Sequence, residues 1–289
     1  MNCHISSEKL NNPMLKELLG FLTSYFNSIE SKYYVIGAAA RDIILSAIHG
    51  QRTKRGTADL DIAIAILDWD NFDAVERDLC KFREIKKVKN QRQRFVYKEI
   101  FFLDIVPFGG VAKDDKNFYW PPEEIIAMSV AGFQEATKDI LEVTIDNEFS
   151  VKVVQLPGIF LLKLNAFKDR HIKNNKDADD MAYIISSYLD INEERAAKNH
   201  YDIYEKEPFN KFVVGATLLG RDVKHVLNES PQTLEIFIEI LQLEINAEEE
   251  SILINQMLET HATLKYEIAF EALESLLCEL KCFSIQLIP

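Results

Sequence analysis

Cysteine is scarce: the 289 residues hold four, and Cys3 and Cys80 stand alone. That excludes a disulfide framework. Cys278 and Cys282 lie four apart in a helical pattern and read as two small apolar residues on one buried helix face; a disulfide or half a metal site is the alternative. Of the six histidines no two have ligand spacing, which excludes a zinc site. No apolar run approaches the ~20 residues that cross a bilayer. Residues 1–8 carry neither a basic segment nor an apolar one, so no signal peptide is expected and the cytoplasm is the expected compartment. Internal repeats and low-complexity linkers are lacking too.

Positive charge is in deficit, with 33 Lys and Arg against 46 Asp and Glu, a net charge of −13. The deficit is uneven. From Asn228 onward twelve Glu face only Lys265 and Lys281, whereas Lys81 to Arg94 carries seven basic residues and one Glu. A polyanion would approach the first half of the chain and be repelled by its end.

Apolar residues make up 47% of the chain, enough for a real core, and the length favours two lobes. Leu10, Met14, Leu18, Leu22 and Phe26 form a helical stripe within residues 7–31. Residues 33–36 are a β-rich run ending at Gly37, and Ala38 to Leu45 starts a second helix. Gly50 to Gly56, with Arg52, Lys54 and Arg55, is a basic loop. Residues 59–66 alternate with period two, residues 70–82 suit a surface helix, and residues 94–97 and 100–106 suit paired strands. Residues 141–145 and 150–154 flank the turn signal Asp146-Asn147. After Leu156-Pro157-Gly158 the pattern turns helical: residues 159–170, 178–189, 209–219, then a helix capped by Ser230 with Pro231 at its first position, and two acidic amphipathic segments. The expected class is α+β, with a mixed sheet lobe over 1–155 and an all-helical lobe over 156–289.

The strongest chemical signal is Asp59-Leu60-Asp61. Residues i and i+2 of a strand share a face, so the two carboxylates are neighbours, while Leu60, Ile62 and Ile64 take the buried face. Adjacent carboxylates repel, and a divalent cation is the usual compensation. Asp104 lies in the apolar run 101–106, where a lone acid is costly to bury without a partner. If that strand pairs beside residues 59–66, three acids form one cluster. Such a cluster can hold two Mg²⁺ ions, with Mn²⁺ as a substitute, and two metals suit in-line phosphoryl transfer. The third acid can also accept the proton of an attacking hydroxyl. This chemistry requires Asp104 to lie close to the pair and not to be sealed in a salt bridge.

Gly37 ends a strand and precedes Ala38, Ala39 and Ala40, a helix start that lets a phosphate approach backbone N–H groups; close strand–helix packing is the alternative. Lys163 is the only charge in residues 158–167. It reads either as a surface lysine lying along apolar neighbours or as a point charge that reaches a triphosphate across a cleft. Asp177 and Asp180 share a helix face near an N-terminus, where acids are favoured in any case.

The segments Val35 to Asp42, Thr57 to Ile62 and Leu103 to Gly109 together resemble the polymerase-β-like nucleotidyltransferase superfamily. Within it the chain looks like the abortive-infection nucleotidyltransferase toxins of AbiE type. The likeness continues through residues 128–133, 156–158, Lys163, Arg170, Lys176-Asp177, Asp180 and residues 218–222. It implies a nucleotidyltransferase-type sheet lobe followed by a helical lobe that completes the nucleotide cleft. It also implies an NTP as substrate, with Asp59, Asp61 and Asp104 as metal ligands. Gly37 and Ala38 would form the nucleotide-binding turn supported by Arg41 and Asp42, while Lys163 and Asp177 would match the second lobe's lysine and acid. Ala38 departs from the Gly or Ser usual there, and the basic loop lengthens the span before Asp59.

The expected function is Mg²⁺-dependent transfer of NMP from an NTP to an acceptor hydroxyl. RNA of tRNA type is the first acceptor, given the basic tract Lys81, Arg83, Lys86, Lys87, Lys89, Arg92 and Arg94. A role as the toxin of a toxin–antitoxin pair, with a cognate antitoxin protein as partner, follows from the resemblance alone. The alternatives are transfer to a protein or small-molecule hydroxyl, and an NTP-binding partner module without turnover.

Overall fold

A computed structural model describes residues 2–10, 12–52, 57, 59–113, 116–121 and 127–282. Lys54 and Arg55 of the expected basic loop lie outside them. The chain is α+β and divides into two compact units, Met1–Leu162 and Lys163–Pro289. The expected boundary falls at the start of a long helix; the observed one falls inside that helix.

The first unit is built on β1 (Asn2–Ile5), α1 (Pro13–Ser28), β2 (Tyr33–Ile36), α2 (Gly37–Asp42), β3 (Asp59–Ile66), α3 (Trp69–Leu79), β4 (Ile85–Lys87), β5 (Arg94–Tyr97), β6 (Phe101–Gly109), β7 (Asn117–Tyr119), β8 (Ala127–Ser129), α4 (Phe133–Ala136), β9 (Ile140–Ile145) and β10 (Phe149–Val154). Eight strands form one mixed sheet in the order β1-β9-β10-β2-β3-β6-β5-β4, and β7 pairs with β8 separately. At its centre β3 runs antiparallel to β2 and parallel to β6, so its ladder is satisfied on both sides. Leu60, Ile62 and Ile64 of β3 and Leu103 and Ile105 of β6 are almost fully buried, as period-two alternation demands of a strand whose one face meets the core.

Local chemistry fixes the ends of these elements. Asn12 caps α1 by accepting from the Met14 N–H at 3.0 Å, with Pro13 at the first position. Asp146 and Asn147 both have positive φ, +50° and +57°, which suits the tight hairpin between β9 and β10. Lys98 and Glu99, at +48° and +63°, turn β5 into β6 in the same way. From Ile43 to Ile48 the helix begun by α2 widens to a π-helical turn.

The second unit is helical. The junction helix α5 (Leu156–Arg170) is followed by α6 (Lys176–Ile191), α7 (Glu193–Asn199), α8 (Lys211–Val226), α9 (Pro231–Asn246), α10 (Ile252–Thr260) and α11 (Tyr266–Lys281). α8 packs against α6 and α11, and Gly215 lets it approach α6: a Cβ there would lie 2.6 Å from the Ile185 carbonyl oxygen. Ser230 sits at the N-cap of α9, but its side chain makes no capping bond. Among the described residues no helix is long and apolar enough to cross a membrane.

One expectation needs correction, and one element was not foreseen. Cys278 and Cys282 are both exposed, because the apolar stripe of α11 runs through Leu273, Leu276, Leu277 and Leu280 and leaves Cys278 outside it. The chain start also holds a strand, β1, that joins the sheet edge parallel to β9; its four residues are too few for a periodic signal.

Replacing Leu60 by Ala removes a fully buried side chain from the central strand. It should cost about 2–5 kcal/mol in urea-induced unfolding. Ala65→Ser, at an exposed position of the same strand, should stay within about 0.5 kcal/mol of the unaltered protein.

Candidate functional site

The parallel register of β3 and β6 sets Asp61 directly beside Asp104, and Asp59 beside Phe102. Strand alternation then places Asp59 and Asp61 on one face of β3, with Asp104 on the same face of its neighbour. The sheet thus brings together the three acids singled out in the sequence.

On the other side of β3, β2 ends where Ile36 pairs with Asp61, so Gly37 lies at the level of that carboxylate. Gly37 has φ +66°, and a Cβ built on it would fall 2.3 Å from Asp61 Oδ2. A side chain there would be strained and would force Asp61 to shift. Gly37 is needed both for its left-handed backbone and for the close approach of the acid. Arg41 and Asp42 follow in α2. Arg41 is buried and donates to Asp42 Oδ1 through Nε and Nη2, at 2.9 and 2.6 Å. Asp42 Oδ2 accepts from the Thr57 hydroxyl at 2.5 Å, which ties the start of the helix to the segment that enters β3.

Asp104 has a partner that its strand context did not reveal. β5 lies on the far side of β6, and its Arg94 is the register partner of Asp104. The guanidinium donates to both carboxylate oxygens, Nε to Oδ1 at 2.8 Å and Nη2 to Oδ2 at 2.5 Å. This fork is the strong, planar form of the arginine–carboxylate pair. The hydrogen bond to Asp104 comes first among the causes that raise the Arg94 pKa; burial opposes it, and the Asp104, Asp59 and Asp61 charges add to it. One guanidinium therefore stands within the field of all three acids. Asp104 is only 8% exposed and both its oxygens are in this salt bridge, the arrangement that the sequence reading required it not to have; the Arg94 side chain is 29% exposed, so the pair borders solvent.

Do these residues fit a divalent cation? Hard oxygen donors on one sheet face have the right chemistry. The side-chain arrangement fits less well: both oxygens of Asp104 are engaged by Arg94. Among the described residues no group of three or more His, Cys, Asp or Glu is gathered so as to hold a metal. Asp59 and Asp61 bring the donor chemistry of a cation site, and Asp104 could join them only after it exchanges its partner.

The second unit carries its own buried charge cluster. Lys163 is 8% exposed, so it is not a surface lysine; its Nζ lies 3.1 Å from Asp177 Oδ1 and 2.6 Å from Asp180 Oδ2. Arg170 completes the cluster with two bonds to Asp177, at 2.7 and 2.8 Å. Burial works to raise the Asp177 carboxyl, but Arg170 and Lys163 outweigh it and hold it below its ordinary value.

The basic tract is largely neutralised. Lys81 pairs with Asp78, Lys86 with Glu99, Lys87 with Glu76, Arg92 with Asp73 and Arg94 with Asp104. Three of those acids lie on α3, so the fold cancels charge that a local count leaves standing.

Two substitutions probe these arrangements. Gly37→Ala should lower the melting temperature, because both φ and the Asp61 contact oppose a methyl group. Asp177→Asn should cost about 3–5 kcal/mol near neutral pH, the usual penalty for breaking a buried pair. The folded pKa of Asp177 lies below its unfolded value near ~3.9. Its contribution is therefore complete above that value and is lost as pH falls through the folded pKa. Chemical denaturation of both proteins should show the difference shrinking once the pH is below about 4.

No protein-family model matches the chain, and no curated protein matches it in sequence.

Proposed function

We propose that the chain is a divalent-metal-dependent nucleotidyltransferase of polymerase-β-like type that moves NMP from an NTP to an acceptor hydroxyl and releases pyrophosphate. The observation that carries this reading is the alignment of Asp61 with Asp104 across β3 and β6, with Asp59 on the same face and Gly37 against Asp61. Acids crowded in this way make sense as ligands, since they destabilise the fold when left uncompensated.

Asp59 and Asp61 would hold the cation, with Asp104 as a third ligand or as acceptor of the hydroxyl proton. Bound there, Mg²⁺ or Mn²⁺ would neutralise triphosphate charge and lower the pKa of the attacking hydroxyl. Gly37 and Ala38 offer backbone without bulk where a phosphate would approach, and the Arg41–Asp42–Thr57 links hold that turn in register with β3. Lys163 and Asp177 keep the roles that the family resemblance implies, as the second lobe's lysine and acid.

The acceptor is a hydroxyl of RNA, protein or a small molecule. Among the described residues, ion pairing leaves Arg83 and Lys89 as the exposed members of the basic tract outside such pairs, which removes most of the case for a polyanion. Toxin activity countered by an antitoxin belongs to the proposal through the family resemblance. One observation favours a second reading, NTP binding without turnover: Asp104 is already held by Arg94.

Incubating the protein with each α-labelled NTP, Mg²⁺, total RNA and total protein separates these readings. Transfer of label from one NTP to a macromolecule is expected, with a loss of at least about 100-fold in Asp59→Ala and Asp61→Ala, since a metal supplies several kcal/mol to such a transition state. NTP binding without labelled product would favour the module. Labelling unchanged by Asp59→Ala would remove the carboxylates from the chemistry.

A further inference from the structure

Arg94 closes the basic tract in the sequence, yet in the fold its partner is an acid of the candidate metal site. Its guanidinium takes both oxygens of Asp104 and lies in the field of Asp59 and Asp61. It thus provides, within the acidic cluster, the positive charge that a bound cation would otherwise provide. Two features make the arrangement exchangeable. The Arg94 side chain is partly exposed, which gives it a way out to solvent. The ring of Phe102 on β6 lies 5.0 Å from the guanidinium carbon, and an aromatic face offers a cation a second seat. Asp104 is not equally free, because it is buried on a central strand and needs a positive partner at all times.

We propose that Arg94 is an internal competitor of the divalent cation: the guanidinium holds Asp104 when metal is absent and has to release both hydrogen bonds before that carboxylate can become a ligand. The proposal rests on the metal-dependent reading above and deepens it. Arg94 is a positioning residue here, acting through Asp104 on the affinity of the site. With Arg94 in place, Asp104 is withheld from the cation. The full set of ligands forms only when the fork opens. Without Arg94, Asp104 keeps no positive partner among the described residues, so the metal binds more tightly and stabilises the fold more.

Calorimetric titration of the full chain with Mn²⁺ tests the competition without any assay of activity. Arg94→Gln should bind Mn²⁺ about 5- to 150-fold more tightly than the unaltered protein, the usual span of a coupling between two ligands of one site. It should also melt lower without metal and regain more of the loss on adding Mn²⁺. Adding Asp104→Asn to Arg94→Gln should abolish the gain. Equal or weaker binding by Arg94→Gln, with binding by the unaltered protein that is lost in Asp59→Asn, would overturn the competition and spare the metal reading. No binding by any of these proteins at millimolar Mn²⁺ would overturn both. Should Arg94→Gln fail to fold, the unaltered protein still decides through the ¹⁵N resonance of the Arg94 side-chain Nε–H, assigned with Arg94→Lys and followed during Mg²⁺ titration. A shift that tracks saturation supports the exchange; an unmoved resonance while Mg²⁺ binds refutes it.

Discussion

The candidate site depends on the side-by-side pairing of β3 and β6. Parallel strands in register set like residues beside like, and here Asp61 meets Asp104 while Asp59 occupies the same face one step away. The opposite face of both strands is packed with Leu60, Ile62, Leu103 and Ile105, so the register cannot slip by one residue without turning the acids inward and the aliphatics out. Burial of the hydrophobic face thereby fixes the placement of the charges. The repulsion among those charges is the cost of the arrangement, and any account of the site has to name what offsets it.

Part of that compensation is Arg94. Its fork on Asp104 neutralises one charge, and the same guanidinium lies in the field of the acid pair on β3. The neighbouring backbone is shaped to the same end. Gly37 bends with positive φ so that Asp61 can lie against it, and Arg41, Asp42 and Thr57 brace the turn from behind. In the other unit Lys163 and Arg170 balance Asp177 and Asp180 by the same rule, that a buried charge persists only with its partner. The two clusters differ in access. The Lys163 cluster is enclosed apart from the half-exposed Arg170, whereas the acids of β3 are only partly covered.

Much of this was legible in the sequence, and the rest was hidden for identifiable reasons. β3 declares itself through strict alternation, β6 through its apolar run, and the β9–β10 turn through Asp146-Asn147. The acid cluster followed from those two strands once they were paired. Arg94 was read only as part of a basic tract, because its contact with Asp104 depends on the antiparallel register that the turn at Lys98 and Glu99 sets. The neutralisation of Lys87 and Arg92 by Glu76 and Asp73 depends likewise on how α3 lies against the sheet, which periodicity within α3 does not specify. Lys163 shows the converse. Its apolar context was plain, but whether it faced solvent or acids was decided by helix packing. β1 and β4, with four and three residues, were too short to carry a pattern.

The most direct test of the central claim, that these three acids form a cation site, is anomalous diffraction from crystals grown with Mn²⁺ and a non-hydrolysable NTP analogue. A peak about 2.0–2.2 Å from oxygens of Asp59 and Asp61 is predicted, with Asp104 turned to it and Arg94 withdrawn. Well-ordered crystals that hold the analogue, yet show no peak at these acids and an unbroken Arg94–Asp104 fork, would contradict it.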